Sequence, residues 1–361
     1  MTASPVRYSP DLEVIKSDER ETISGLIDQF DIILEKTAED YGHAVRSVHA
    51  KAHGILEGKM TIRAGLPPEL AQGLFAKPGE HEVYLRLSTN AGDILPDTVA
   101  LPRGLAMKVV GVDGPRLADA DGSTQDFVMV NGPVFQAPNP EKFLSSLKLL
   151  ARTTDRMEGT KEVLSSVLQT VNKGLEAVGV SSPTVQSLGG APNVDPLGET
   201  YFSVTPFRYG DYVAKFRLTP VSPDLVKRTG TEIDVSVRED AIRETVQAEM
   251  QKTFGEWEFQ VQLCRDIEEQ PIEDPTVEWK EDAAPFLTVA TVSAAPQNSW
   301  SEEKVQKVNE EMRFSIWTGL ADHQPLGGIN RARKETYLHS AEFRARYNGC
   351  PFHEPAQSYQ G

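Results

Sequence analysis

Cysteine is nearly absent. Cys264 and Cys350 are the only two in 361 residues, so neither a disulfide framework nor a cysteine-based metal site holds the fold, and a reducing, cytoplasmic setting is expected. Positive charge is in deficit: 37 Lys and Arg stand against 53 Asp and Glu, a net charge of −16, which argues against nucleic acid or an anionic membrane as the main partner. No apolar run approaches the roughly 18 to 20 residues of a membrane span. The N-terminal stretch holds no apolar run flanked by positive charge, so no secretory leader is expected. Seven histidines are too few for a His-rich metal tract, and there is no internal repeat. What remains is the composition of a globular protein, long enough for one large domain or two small ones.

Residues 1–18 are polar and expected to be loose. From Glu19 to about Val45, Ile23, Leu26, Ile27, Phe30, Ile33 and Leu34 recur at helical spacing. Ile55 to Ile62 sets Leu56, Met60 and Ile62 against Glu57, Lys59 and Thr61, the period of two of a strand. Glu82–Thr89, Gly104–Gly111 and Asp126–Val130 are further strand candidates. A helical insertion is expected over about 141–180, carrying Phe143, Leu144, Leu147 and Leu150 and later Val163, Val167, Leu168 and Val171. Ser181 to Thr200 reads either as a linker or as an ordered arm. Strands follow at Tyr201–Thr205, Tyr212–Leu218, Trp257–Leu263 and Leu287–Val292, with helices at Asp240–Thr253 and Ser301–Arg313. No boundary isolates a second domain. Residues 19–361 therefore read as one α+β domain, an antiparallel β-barrel with helices packed around it.

Two groups of residues stand out chemically. After the breaker Pro325-Leu-Gly-Gly328, the stretch Asn330 to Arg344 lacks Gly and Pro and should be helical. There Arg333, Tyr337 and Arg344 fall within about 40° of one another at ~100° per residue, so one face offers a phenol between two guanidinium groups. Taken alone, such a face is more commonly a solvated one with a half-buried Tyr. Near the other end, His49 and His53 lie four apart, a spacing that on a helix would suit two metal ligands. Gly54 and the alternation after it favour extended chain instead, and no H-E-x-x-H pattern is present.

Four stretches change the weighing when read together: Arg46-Ser-Val-His-Ala-Lys51, Arg86-Leu-Ser-Thr-Asn-Ala-Gly92, Asp97 to Lys108 (D-T-V-A-L-P-R-G-L-A-M-K), and Asn131-Gly-Pro-Val-Phe135 with Phe143 eight residues on. In this order they closely resemble the haem-pocket motifs of the catalase family, R-x-V-H-A-K, R-F-S-T-x-A-G, D-T-x-x-x-P-R-G-x-A-x-K and N-x-P-x-F. The spacing from Arg333 through Tyr337 to Arg344 matches the family's proximal helix. Five ordered motifs are specific where any one would be weak.

The resemblance implies a haem b beside the barrel. Tyr337 would be the phenolate that binds iron, with Arg333 one turn away favouring the anion. Arg46, Arg86 and Arg344 would pair with the haem propionates, and His49 would be the distal acid–base, oriented by Ser88. Val48, Phe135 and Phe143 would pack on the haem. The implied substrate is a small-molecule peroxide, with an organic electron donor if the activity is peroxidatic. The chain departs from the family pattern at Val130, which stands where the large catalases carry the distal Asn, so Asn131 is taken as the distal donor. Gln136 replaces the second aromatic of the family's Phe pair.

In size and in Pro325 to Arg333 the sequence is similar to the small catalase-related proteins, with no long arm, wrapping segment or NADPH site expected. That subgroup includes allene oxide synthases and lyases, which rearrange fatty-acid hydroperoxides. The synthases typically have Thr before the distal His; Val48 here leans towards hydrogen peroxide. A non-catalytic barrel carrying haem or a lipid is the reading from another class. The oligomeric state stays open, a homo-oligomer included.

Overall fold

The structure, a computed structural model, describes residues 3–154, 190–236 and 238–355. In β1 (Ala52–Ile62), Leu56, Met60 and Ile62 are buried while Glu57, Lys59 and Thr61 are exposed, as a strand buried on one face requires. It pairs antiparallel with β2 (Gly79–Thr89), which pairs with β3 (Arg103–Val110), which pairs with β4 (Thr124–Val130). The second half supplies β5 (Tyr201–Phe202), β6 (Phe207–Tyr209), β7 (Tyr212–Pro220), β8 (Gly255–Leu263) and β9 (Phe286–Ala294). The order runs β5-β4-β3-β2-β1-β9-β8-β7-β6 with an additional β5–β7 pairing. β6 pairs only with β7, so the other eight strands close into an antiparallel barrel. The expected α+β barrel is the observed one.

The barrel is filled, not hollow. Phe127 and Phe259 meet at 4.8 Å between ring centroids, Phe75 and Phe259 at 5.4 Å, and the fully buried His323 sits among them. Its Nε2 accepts from the Leu74 N–H at 3.0 Å, and burial holds its pKa down at about 3, so it packs as a neutral ring. Room for a ligand therefore lies outside the barrel wall. On that outer side β3 is buried along its whole length, because Gly104, Ala106 and Lys108 are covered as well as the core residues Leu105, Met107 and Val109.

The cover is helical. α1 (Glu19–Tyr41) buries Ile23, Leu26, Phe30 and Leu34 along one stripe and ends at Gly42, whose φ of 63° suits a glycine C-cap. α2 (Pro140–Thr154) and α4 (Gly328–Asn348) pack against α1, and α3 (Ala241–Met250) packs against β1. No helix among the described residues is long and apolar enough to cross a membrane.

Several local expectations are corrected. The helix expected at Ser301–Arg313 begins as a turn of α-helix, Glu302–Lys304, and continues as a π-helical turn, Val305–Glu310. The strand expected at Tyr201–Thr205 stops at Phe202, since Val204 adopts a φ of 55° that no strand accommodates. Residues 3–18 are tied down: Val6 N–H donates to Cys264 O and Tyr8 N–H to Asp211 O, both at 2.8 Å. Of the segment read as linker or arm, residues 190–200 are an ordered arm, mostly buried. The rest of that segment and the later part of the helical insertion lie outside the described residues.

Lys108 anchors the outer face of β3. Its Nζ lies 2.8 Å from Asp126 Oδ1 and 2.6 Å from Glu354 Oε2, with Lys108 and Asp126 fully buried. Burial raises the Asp126 carboxyl to about 7 even with the lysine opposing it. Lys108→Met removes that cation and should cost about 3–5 kcal/mol, the expected price of orphaning a buried charge, read as a lower urea midpoint at unchanged m-value.

Candidate active site

Two adjoining clefts open against the outer face of β2, β3 and β4. One, of about 600 Å³, is lined by Arg46, Arg86, Ser88 and Arg344; the other, of about 1150 Å³, by Asn131, Phe135, Phe143 and Arg333; and both by Val48, His49 and Tyr337. All eleven residues assigned to the site thus border these two adjoining clefts. Between them the barrel contributes a low floor, because register places Arg86 opposite Ala106 and Ala106 opposite Val128.

His49 sits just before β1 with a φ of 56°, a conformation that costs a non-glycine residue about 1–3 kcal/mol and that surrounding contacts must hold. They do so from three directions. The His49 and Ala50 N–H groups donate to Asn90 O and Ala91 O at 3.3 and 2.8 Å. Arg86 Nη2 donates to the carbonyls of His49 and Ala50 at 2.9 and 3.1 Å. Ser340 Oγ, on α4, accepts from the Ser47 N–H at 3.2 Å. The ring itself meets Ser88 Oγ through Nδ1 at 3.1 Å. Burial, followed by the repulsion of Arg86, Arg333 and Arg46, pushes the His49 pKa down to about 3. The imidazole is therefore neutral at ordinary pH.

Gly104 makes this packing feasible. A Cβ there would press into the His49 ring at Cε1 and Nδ1. Sequence inspection gave Gly104 no role, although it lies within the third motif. Gly104→Ala should displace the ring from Ser88 while the barrel stays folded, which the imidazole signal of His49 in NMR beside a thermal melt checks.

Tyr337 and Arg333 face the crevice from α4. Arg333 Nε donates to the Tyr337 hydroxyl at 3.2 Å, and its guanidinium lies 5.1 Å from the ring centroid. Asn330 Oδ1 accepts from Arg333 Nη1 at 3.3 Å and is itself fixed by Thr205, whose hydroxyl donates to it at 2.9 Å.

At the far end three guanidinium groups converge on one residue. Asn309 Oδ1 accepts from Arg86 Nε at 2.9 Å and Arg46 Nη1 at 3.2 Å, and Asn309 O accepts from Arg46 at 2.6 Å and Arg344 at 2.9 Å. The π-helical turn delivers Asn309 there, and nothing in the sequence marked it. Among the described residues the trio's one carboxylate is Glu310, 3.9 Å from Arg344 Nη2. Arg344 Nε is buried with no acceptor. Burial and then repulsion from Arg344 pull Arg86 down to about 9, and burial, Arg344 and Arg86 pull Arg46 well below its usual value. Buried cations in this surplus call for an anion. A flat apolar group ending in carboxylates fits: low barrel floor, aromatic flank, phenol on one side, guanidinium cluster at one end.

Other motif residues serve as scaffold. Lys51, buried, reaches Asp97 at 2.9 Å and Asp240 at 3.1 Å, and Asp97 Oδ2 accepts from the Ile242 N–H that opens α3. Arg103 Nη2 donates to Asn193 Oδ1 at 3.1 Å, tying the arm to β3. His53 is buried, with Nε2 at 2.5 Å from Thr89 Oγ1, and among the described residues no group of three or more His, Cys, Asp or Glu side chains could hold a metal ion. Asn131 Oδ1 accepts from the Arg103 N–H at 2.7 Å while Nδ2 donates to Glu199 at 3.0 Å.

No protein-family model and no curated protein matches the chain. Among solved structures it is similar to a fungal catalase (15% identity, TM-score 0.58, covering 86% of this chain and 60% of that one). It is similar also to catalase A from Saccharomyces cerevisiae (16%, 0.60, 96% and 68%) and to a bacterial catalase (17%, 0.60, 91% and 63%). It thus spans 60% to 68% of the length of these proteins. The chain shares the fold of these catalases.

Proposed function

We propose that the chain is a haem-dependent hydroperoxidase of the small catalase-related type, decomposing hydrogen peroxide or small organic peroxides. The observation that carries this reading is a pair of adjoining clefts bordered by a neutral His49, by the Tyr337–Arg333 pair, and by the buried Arg86 and Arg344 with the half-buried Arg46, which share one carboxylate among the described residues. Tyr337 would hold the iron of haem b, Arg46, Arg86 and Arg344 its propionates, and Val48, Phe135 and Phe143 its apolar faces. A bound haem supplies the iron that takes up the oxidising equivalents of the peroxide.

The side chains supply proton handling. The Ser88 hydroxyl, 3.5 Å from Gly104 O, donates to that carbonyl and accepts from His49 Nδ1–H, leaving the Nε2 lone pair free. His49 takes a proton from one peroxide oxygen and returns it to the other, which leaves as water or alcohol. Arg333 Nε donates to the Tyr337 oxygen at 3.2 Å, a charge-assisted bond that orients that oxygen. Asn131 keeps one Nδ2 hydrogen beyond its bond to Glu199, available to a substrate oxygen.

A second reading, fatty-acid hydroperoxide isomerase or lyase, draws support from the larger cleft, whose lining at Val130, Val134 and Val204 is apolar. A barrel that merely carries a lipid in its interior is disfavoured by the packed aromatic core. Dioxygen released per peroxide consumed, with haem-loaded protein and no donor, separates the activities. One dioxygen for every two peroxides indicates dismutation. Consumption without dioxygen indicates a peroxidase, and rearranged fatty-acid products without a donor indicate the second reading. No consumption of any of these peroxides would overturn the proposal.

A further inference from the structure

A third cavity, of about 460 Å³, lies beyond the wall of the larger cleft. Val204 lines both spaces, and Pro133 lines the third while its neighbours Gly132 and Val134 line the cleft. The chamber's lining combines the aromatic Phe202, Phe216, Trp279 and Phe286 with the polar Gln262, Glu278 and Glu281, and into it β7 contributes Lys215.

Lys215 is 4% exposed. Of its three N–H donors, one reaches a carbonyl, Val277 O, at the long distance of 3.5 Å, and the ammonium otherwise lies 4.7 Å from the Trp279 ring centroid. The nearby carboxylates are engaged elsewhere: Glu278 with Lys280 at 2.6 Å and Glu281 with Arg217 at 2.7 Å. A second donor in the chamber wall, Trp279 Nε1, is buried with no acceptor. Among the described residues no carboxylate forms an ion pair with Lys215, a costly state for a buried lysine, and burial pulls its pKa down to about 7 even with Glu278 and Asp274 opposing the shift. The lining pairs that cation with aromatic surface, the composition of a small-ligand site.

We infer that this chamber is a binding site for a small apolar monocarboxylate, its carboxylate on Lys215 and its body among Phe202, Trp279 and Phe286. The site is separate from the arginine cluster and does not depend on the peroxide chemistry. The strained Val204, φ 55°, is the residue shared by the two spaces, so an occupant of the chamber sits directly behind the wall of the cleft.

Calorimetric titration of the haem-loaded protein with benzoate, with octanoate and with the neutral isostere benzamide tests this. The expected result is saturable binding of at least one of the two acids, no detectable binding of benzamide, at least tenfold weaker acid binding in Lys215→Met, and retention within a few-fold in Lys215→Arg. Trp279 fluorescence should change on binding. Acid binding that survives Lys215→Met unchanged would place the anion elsewhere and overturn the assignment, as would failure of both acids to bind. If Lys215→Met does not fold, the acid-versus-amide comparison and Lys215→Arg decide: equal binding of benzamide, or loss of binding in the charge-retaining variant alongside a normal fold, refutes the site.

Discussion

Replacing His49 by alanine is expected to lower hydroperoxide turnover by about 10² to 10⁴-fold, the range typical of a lost general acid–base, with haem content unchanged. The expectation rests on how little else the ring does. Among the described residues its single side-chain hydrogen-bond partner is Ser88 at 3.1 Å, and the loop around it is held by backbone bonds and by Arg86, so truncation should leave the cleft standing. The pH profile gives an independent check. The folded-state pKa is about 3 against an ordinary value of 6.5, so the wild-type acid limb belonging to His49 should lie near pH 3 and not near 6.5. The folded protein binds fewer protons than the unfolded chain across that window, so this group's contribution to stability is complete above pH 6.5 and is lost as pH falls towards 3. Unchanged turnover in His49→Ala, or a wild-type limb near 6.5 that the variant abolishes, would contradict the assignment.

Tyr337→Phe is expected to weaken haem binding by at least about 10- to 100-fold, the loss seen when even a residue supporting a metal ligand is removed, and to abolish the visible-region signature of phenolate bound to ferric iron. The substitution is close to isosteric, and Tyr337 is half-buried with its hydroxyl bonded to Arg333 Nε at 3.2 Å. Phenylalanine therefore keeps the packing of α4 against α1 and removes the oxygen alone. Haem titration followed by absorption, alongside a thermal melt, separates loss of ligation from loss of fold. A wild-type spectrum in the variant would sink the role given to Tyr337.

Much of the barrel was legible because its strands obey a period of two, as in Leu56, Met60 and Ile62. The crevice residues were legible because motifs keep them at fixed spacing. The missing parts arise from tertiary geometry. Asn309 gains its role when a π-helical turn carries it between three arginines, a turn indistinguishable in sequence from the amphipathic helix expected there. Gly104 matters through the His49 ring packed over it, a contact across strands. Val204 ends β5 by a backbone conformation that a β-branched residue disfavours, so propensity pointed the wrong way. Arg86 holds the carbonyls of His49 and Ala50 as well as bordering the cleft, a backbone role absent from the sequence reading of it as a propionate partner.

Haem-dependent consumption of a hydroperoxide is the central proposal, and the decisive measurement is the initial rate of peroxide loss with haem-free protein and then with protein loaded at one haem per chain. Negligible loss is expected without haem, and a rate that rises in proportion to haem bound up to that ratio. Stoichiometric haem binding with no consumption of hydrogen peroxide, an organic peroxide or a fatty-acid hydroperoxide would contradict it.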